Sequence, residues 1–209
     1  MDGALAPREV EGESDAREER ALLERAQRGD LAAYEAIVGR YEQPAFRLAY
    51  LILRDAAAAE DAAQEAFVRA YGALGRFRLG EPFRPWLLRI VANQAISARR
   101  ADRRRDALAQ RLRGEALSSG EPSPESVALS RERRDAVLAA LATLGQEDQL
   151  VLHLRYFMDL GEAELAIALS CARGTVKSRL HRAQARLRRA LVPFFPELAS
   201  PLPEEGKPV

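Results

Sequence analysis

Cysteine is almost absent from this sequence, since Cys171 is the only one in 209 residues. A disulfide within the chain is therefore excluded, and so is a zinc site built from paired cysteines. Histidine is equally scarce, because the chain contains only His153 and His181, and no Ser/His/Asp, phosphate-loop or paired-carboxylate arrangement stands out. We therefore expect no metal, no cofactor and no enzymatic activity.

Long apolar runs and strand signals are also missing. No stretch approaches the roughly 20 apolar residues of a membrane-spanning helix, and the first residues are acidic without an apolar segment. These features predict a cytoplasmic chain without membrane insertion. Period-two alternation and Asn-Gly or Asp-Gly turns are absent as well, whereas helical periodicity recurs throughout. The sequence thus predicts an all-α fold.

Charge is nearly balanced overall but strongly segregated. The net charge of +1 divides into −7 over residues 1–65, +9 over 66–113, −6 over 114–164 and +5 over 165–209. Two basic blocks of this size are typical of nucleic-acid contacts, although unpaired arginines also occur as plain solvated surface.

A Ser-, Pro- and Gly-rich stretch divides the chain into two small helical domains joined by a flexible linker. The predicted boundaries are a disordered N-terminal tail over 1–17, a helical bundle over 18–105, the linker over 106–125, a helix-turn-helix domain over 126–191 and a Pro-rich, irregular C-terminal tail over 192–209.

In the first domain, helix breaks are expected near residues 29–30, at 54–55 and over 75–85. Asp30 and Asp55 are the predicted N-caps of the helices that follow them. The helix from Ala56 to about Leu74 carries an inward apolar stripe, whose members are Ala59, Ala63, Ala66, Phe67, Ala70 and Leu74. Asp61, Gln64, Glu65 and Val68 then fall on another face.

In the second domain, two predicted helices meet at a short turn. One helix covers about 162–169, a turn covers 170–174, and a longer helix starts at Thr175, which is a helix-turn-helix pattern. In the preceding helix, Leu150, Val151, Leu154 and Phe157 are expected on one side. Cys171 lies in the turn, where it is either a small packing residue or a redox-sensitive thiol.

The last helix of this pair is unusually cationic. Residues 174–189, GTVKSRLHRAQARLRR, contain six Lys or Arg side chains and no carboxylate. Val176, Leu180, Ala183, Leu187 and Ala190 form its inward stripe. In a major groove, Lys177, Ser178 and His181 would lie near base edges, and Arg179 and Arg182 near phosphates. The alternative is an exposed, Arg-rich surface helix.

Three motifs in order carry a family resemblance: AEDAAQEAF at 59–67, FRPWLLRIVANQAISARR at 83–100, and GTVKSRLHRAQARLR at 174–188. Over residues 18–191 the chain resembles the extracytoplasmic-function (ECF) sigma factors of the sigma-70 family. The resemblance implies a sigma region 2-like domain, a sigma region 4-like domain, and a subunit that binds core RNA polymerase, recognises minus-35 and minus-10 promoter elements and promotes transcription initiation.

The resemblance also implies roles for individual residues. Core polymerase binding, on the clamp helices of the largest subunit, falls to Asp61, Gln64 and Glu65; the flap is a further polymerase contact. Capture of the minus-10 element falls to Phe77, Phe83, Trp86, Asn93, Arg99, Arg100 and Arg103, with Asn93 reading a flipped-out base. For Trp86 and Phe83 a core role is the alternative, and for the arginines a solvated helix end.

Recognition of the minus-35 element falls to the start of the last helix: Arg173, Thr175, Lys177, Ser178, Arg179, His181 and Arg182. Arg173 stands where an apolar residue is common in the family, and we predict that it adds a phosphate contact. Family members are commonly held inactive by an anti-sigma factor, so one is expected here. The competing interpretations are a sigma-like decoy that sequesters an anti-sigma factor and a helix-turn-helix operator-binding regulator.

Overall fold

The computed structural model describes residues 7–113 and 128–199, with side chains described over 14–105 and 135–199. Every regular element within these ranges is helical. The chain separates into two compact units, residues 1–105 and 106–209. The prediction of an all-α, two-domain fold is confirmed.

Among its described residues, the first unit contains α1 (Pro7–Gln27), α2 (Leu31–Leu53), α3 (Ala56–Leu74) and α4 (Phe83–Arg113) up to residue 105. The breaks between them fall where the sequence predicts. Asp30 accepts a hydrogen bond from the backbone N–H of Ala33 and Asp55 accepts one from Ala58, so both act as N-caps.

Alanine dominates the buried face of α3. The predicted stripe is buried as expected, with Ala59, Ala66 and Ala70 fully inaccessible, and Ala62 joins it. Small side chains let two helices approach closely, and α3 packs along α2. Across this contact the Tyr34 hydroxyl donates to the Phe67 carbonyl oxygen at 2.6 Å. The buried face of α3 is thereby held against α2, and the opposite face is left exposed.

The ends of the first unit differ from the prediction. Residues 7–17, expected within a disordered tail, belong to α1, and Asp15 is fixed by an ion pair with Arg40 of α2 at 2.9 Å. Arg40 also pairs with Glu18 at 3.2 Å. The acidic residues that suggested a disordered tail instead pair with Arg40 on α2. Residues 106–113, expected within the linker, continue α4, and the rest of the predicted linker, 114–125, lies outside the described residues.

The second unit is a smaller helical bundle. Its elements are α5 (Ala128–Ala142), α6 (Gln146–Leu152), a π-helical turn (His153–Phe157), α7 (Glu162–Ala168), α8 (Arg173–Leu191) and a 3₁₀ turn (Pro196–Ala199). Leu141, Val151, Leu152 and Ala183 form a core that joins α5, α6 and α8. This core determines which face of α8 is left for a ligand.

The π-helical turn overturns one burial prediction. The backbone N–H of Met158 bonds the carbonyl of His153, five residues back, so the register shifts relative to an α-helix. Leu154, Met158 and His153 become buried, whereas Phe157, expected inward, is 42% exposed. Periodicity of 3.6 residues could not predict this shift.

The C-terminal segment is also more ordered than predicted. Residues 196–199 form a 3₁₀ turn that packs on α8, and the Arg188 Nε donates to the carbonyl oxygen of Leu198 at 2.9 Å. The prediction of an irregular tail is therefore wrong for residues 196–199, and residues 200–209 lie outside the described residues.

Candidate nucleic-acid interface

An aromatic cluster lies beneath the loop that joins α3 to α4. The Phe77 ring centroid is 5.4 Å from that of Phe83 and 5.1 Å from that of Trp86, and Tyr41 of α2 approaches Phe83 at 5.5 Å. Phe77 and Phe83 are buried, whereas Trp86 is half-buried. Phe77 and Phe83 therefore support the loop from inside and, contrary to their assignment as DNA-binding residues, have no face left for a base.

Asn93 lies on the exposed surface of α4. It follows Trp86 by seven residues, which is close to two helical turns, so the two side chains lie on the same face of the helix. An exposed amide presents a donor and an acceptor together. The geometry thus combines one hydrogen-bonding group with a half-exposed aromatic ring on one helical face.

The loop is anchored by a residue that the sequence analysis missed. The Nε2 of Gln27, the last residue of α1, donates to the carbonyl oxygen of Leu74 at 2.9 Å and to that of Phe77 at 2.8 Å. The partners are 47 and 50 residues away along the chain, so no local pattern signals the contact. Gly80, at φ +97°, supplies the left-handed position at the tip of the loop.

The three arginines predicted to meet DNA do not share one environment. Arg100 and Arg103 are exposed, but Arg99 is half-buried, and its Nη1 donates to the carbonyl oxygen of Ile52 in the last turn of α2 at 3.1 Å. Burial, with the neighbouring charges of Arg103 and Arg100, lowers the pKa of the Arg99 guanidinium. The side chain satisfies a helix C-terminus and ties α4 to α2, which corrects its assignment to DNA.

This difference predicts separate effects for two neighbouring substitutions. Arg99→Ala should lower the free energy of unfolding by about 1.5–3 kcal/mol, because a charged hydrogen bond to a helix-terminal carbonyl is lost. Arg100→Ala should leave stability within about 0.5 kcal/mol, as is usual for an exposed side chain. Thermal and urea unfolding of the two full-length variants measures both values, and equal stabilities would contradict the structural role of Arg99.

The predicted polymerase-binding residues form an exposed patch on α3. Asp61, Gln64 and Glu65 all face outward, and Val68 continues the patch with 67% of its surface exposed. Glu65 accepts from Arg69 Nε at 3.0 Å, one turn further on. Beside the patch, a groove of about 530 Å³ between α2 and α3 is lined by Gln64 and other α2 and α3 side chains.

The helix-turn-helix of the second unit differs in register from the prediction. The turn covers residues 169–172 and α8 begins at Arg173, two residues before the expected start. The left-handed turn residue is Ser170, at φ +50°, so Gly174 is free to enter the helix. Glu164 accepts the backbone N–H of Gly161 at 2.9 Å and stabilises the start of α7.

The exposed face of α8 carries the predicted readers. Val176 and Ala183 are buried against the unit, and the opposite face presents Arg173, Lys177, Ser178, His181 and Arg182, with Thr175 and Arg179 half-buried at its edge. The Ser178 hydroxyl donates to the carbonyl of Thr175 at 3.0 Å and the Arg182 Nε to that of Ser178 at 3.1 Å. Both side chains thus remain on the helix surface.

Further along α8, two of the arginines serve the fold. Arg186 Nη1 pairs with Asp148, which is 8% exposed, at 2.5 Å, and Arg188 holds the C-terminal turn. The cations of the N-terminal half of α8 are therefore the ones most available to a ligand, although Arg189 is also exposed. Cys171 is half-buried in the preceding turn, and among the described residues no cluster of His, Cys, Asp or Glu forms a metal site.

Comparison with known proteins identifies the class to which this architecture belongs. Residues 37–105 match the model of Sigma-70 region 2, and residues 134–187 match that of Sigma-70, region 4. The RNA polymerase sigma-H factor of Pseudomonas aeruginosa is 35% identical over 187 residues, which cover 86% of this chain and 97% of the relative. The ECF RNA polymerase sigma-E factor of Escherichia coli K12 is 32% identical over 186 residues, covering 85% and 96%.

Solved structures show the same fold. CnrH in complex with the cytosolic domain of CnrY has a TM-score of 0.63 at 23% identity, covering 85% of this chain and 99% of the other. The sigma factor RpoE, in complex with the anti-sigma factor NepR from Bartonella quintana, has a TM-score of 0.57 at 24% identity, covering 76% and 96%.

The chain therefore belongs to the sigma-70 family and, within it, to the ECF sigma factors. Its function is that of an RNA polymerase sigma factor, a DNA-binding subunit of transcription initiation. Among the described residues, no helix is both apolar enough and long enough to cross a bilayer.

Proposed function

We propose that the exposed N-terminal half of α8 reads the minus-35 element. Lys177, Ser178 and His181 face the base edges of the major groove, while Arg173, Arg179 and Arg182 contact phosphates and Thr175 lies at the edge of the contact. The observation that carries this proposal is the exposed face of the first half of α8, on which Arg173, Lys177 and Arg182 have no carboxylate among them.

The first unit captures the minus-10 element. Asn93 reads a base that has left the stack, and Trp86 supplies apolar surface beside it, since an extruded base is recognised by hydrogen bonds to its edge and by stacking. Arg100 and Arg103 contact the DNA backbone. Phe77 and Phe83 contribute by holding the loop, and Arg99 by holding α4.

The exposed α3 patch binds core polymerase. Asp61, Gln64 and Glu65 contact the clamp helices of the largest subunit, and the second unit contacts the flap. The patch is supported by its acidity and by the exposed apolar side chain of Val68 beside it. The chain acts in the cytoplasm and has no catalytic activity of its own.

An anti-sigma factor is the expected regulator. Two of the structurally similar proteins were solved in complexes with CnrY and with the anti-sigma factor NepR. A partner of this chain would inhibit it by covering the α3 patch or the cationic face of α8, because occlusion of either surface is sufficient to prevent initiation.

Run-off transcription tests the proposal. The full chain, added to core polymerase and a promoter mapped from transcripts induced by its overexpression, should give a discrete transcript that core alone does not give. A decoy and an operator-binding regulator would both give none. If Asp61→Lys abolishes the transcript and excess wild-type protein restores it, the activity belongs to the assembled holoenzyme.

Arg173 offers a specific test on α8. Because it is the first residue of the helix and is exposed, Arg173→Ala should weaken promoter binding uniformly across sequences and reduce the slope of log K against log salt by about 1. Electrophoretic mobility shifts over a salt series measure the slope. Arg186→Ala is the matched control, since Arg186 is engaged with Asp148 and should leave the slope unchanged. Equal slopes for wild type and Arg173→Ala would contradict the contact.

A further inference from the structure

Gln27 joins three parts of the first unit through one amide. Its Nε2 donates one hydrogen to Leu74, the last residue of α3, and the other to Phe77 in the loop. The carbonyl of Leu74 lies at the C-terminal end of α3 and also accepts the backbone N–H of Phe77 at 2.9 Å. The amide thus adds a second hydrogen bond at the Leu74 carbonyl and supplies one to the Phe77 carbonyl, so that it links the end of α3 to the loop.

The position of Gln27 is itself fixed. It lies at the corner between α1 and α2, where Asp30 accepts from Arg25 at 2.7 Å and from the backbone N–H of Ala33 at 3.1 Å. Gly29, at φ +93°, makes the sharp turn between the two helices. The corner is therefore rigid enough for the Gln27 amide to hold the loop in place.

The loop in turn positions Trp86, the aromatic residue beside the proposed base site. The carbonyl that Gln27 holds belongs to Phe77, whose ring lies 5.1 Å from that of Trp86. Trp86 shares a face of α4 with Asn93. A displacement of the Phe77 backbone would therefore alter the packing of Trp86 and the surface on which an extruded base would lie.

We propose that Gln27 is a positioning residue for minus-10 capture, acting through the loop and Trp86 on a base that it does not touch. The inference rests on the proposed role of Asn93. Glutamine is the suitable residue here because only a side chain with two donor hydrogens can bond both carbonyls, whereas a carboxylate of the same shape would face them with negative charge.

The test measures promoter opening with full-length variants in holoenzyme. Gln27→Met removes both donors without adding charge, and Gln27→Glu keeps the shape but replaces donors with acceptors. Fluorescence of an adenine analogue in the minus-10 element reports base unstacking. At saturating holoenzyme, both variants should slow opening by about tenfold, the factor expected when the part-buried Phe77 carbonyl loses its partner, while closed-complex affinity stays within twofold.

Gln149 provides the matched control for stability. Its Nε2 makes the same kind of bridge in the second unit, to the carbonyls of Leu141 at 2.9 Å and Leu144 at 3.0 Å. Gln149→Met should therefore lower the melting temperature as Gln27→Met does, yet leave the opening rate unchanged. Equal slowing by Gln149→Met would show a general stability effect and overturn the inference.

Asn93→Ala, measured in parallel, separates the two hypotheses. If Asn93→Ala opens slowly while both Gln27 variants open at the wild-type rate, the positioning role is wrong and the proposed base site survives. If Asn93→Ala opens at the wild-type rate, the base site is wrong and the inference about Gln27 falls with it. Slow opening by all three variants supports both.

Discussion

Replacement of Asn93 by alanine should slow promoter opening by about 5- to 150-fold and leave closed-complex affinity nearly unchanged. The expected loss corresponds to roughly 1–3 kcal/mol, the cost of leaving polar groups of an extruded base without partners. The substitution therefore affects only the steps after the duplex begins to open, because a stacked and paired base does not present its edge to Asn93. Stopped-flow fluorescence separates the opening rate from the affinity of the first complex.

Lys177→Ala is the matched comparison for this prediction. Lys177 is exposed on α8 in the other unit, so its loss should weaken the first complex and leave the opening rate at saturation close to that of wild type. A reversal, in which Asn93→Ala weakens the first complex and Lys177→Ala slows opening, would contradict the division of labour between the two units.

Reversal of one charge on α3 should have the second large effect. Asp61→Lys is expected to weaken binding to core polymerase by about 30- to 100-fold, because like charges brought together in an interface cost several kcal/mol in unfavourable cases. Glu65→Lys should have a smaller effect, since the Glu65 carboxylate already pairs with Arg69 at 3.0 Å. Competition of labelled and unlabelled protein for core polymerase measures both.

Glu197→Lys supplies the control for net charge. Glu197 lies exposed in the C-terminal 3₁₀ turn, and its reversal changes the total charge by the same amount without touching the α3 patch. The Asp61→Lys defect should also become smaller in high salt, because exposed charges are screened. A defect that is equal in Glu197→Lys, or no defect in Asp61→Lys, would remove the patch from the polymerase interface.

Local chemistry was enough to predict most of the first unit. Asp30 and Asp55 were predictable N-caps, because a short side-chain acceptor just before an apolar periodic run can bond the free backbone N–H groups at the helix start. The alanine stripe of α3 was equally readable, since burial follows a 3.6-residue period. The same periodicity predicted the exposed faces of α3 and α8, and the candidate residues on each helix do lie together on its surface.

The sequence could not predict contacts between distant segments. Gln27 and Arg99 both bond backbone carbonyls about 50 residues away. The side chains of the residues that carry these carbonyls give no sign of the contact. The arginines at the end of α4 therefore looked equivalent, although one of them serves the fold. The π-helical turn was missed for a different reason, because its backbone register departs from the period on which the prediction depends.

The docked C-terminal turn has a consequence for building hybrid sigma factors. A chimera that exchanges promoter specificity by swapping the second unit would naturally be joined or ended just after α8, at Leu191. Such a cut would strip Arg188 of its carbonyl partner on Leu198 and uncover the side of the reading helix on which the 3₁₀ turn rests. The transferable cassette therefore extends at least to Ala199.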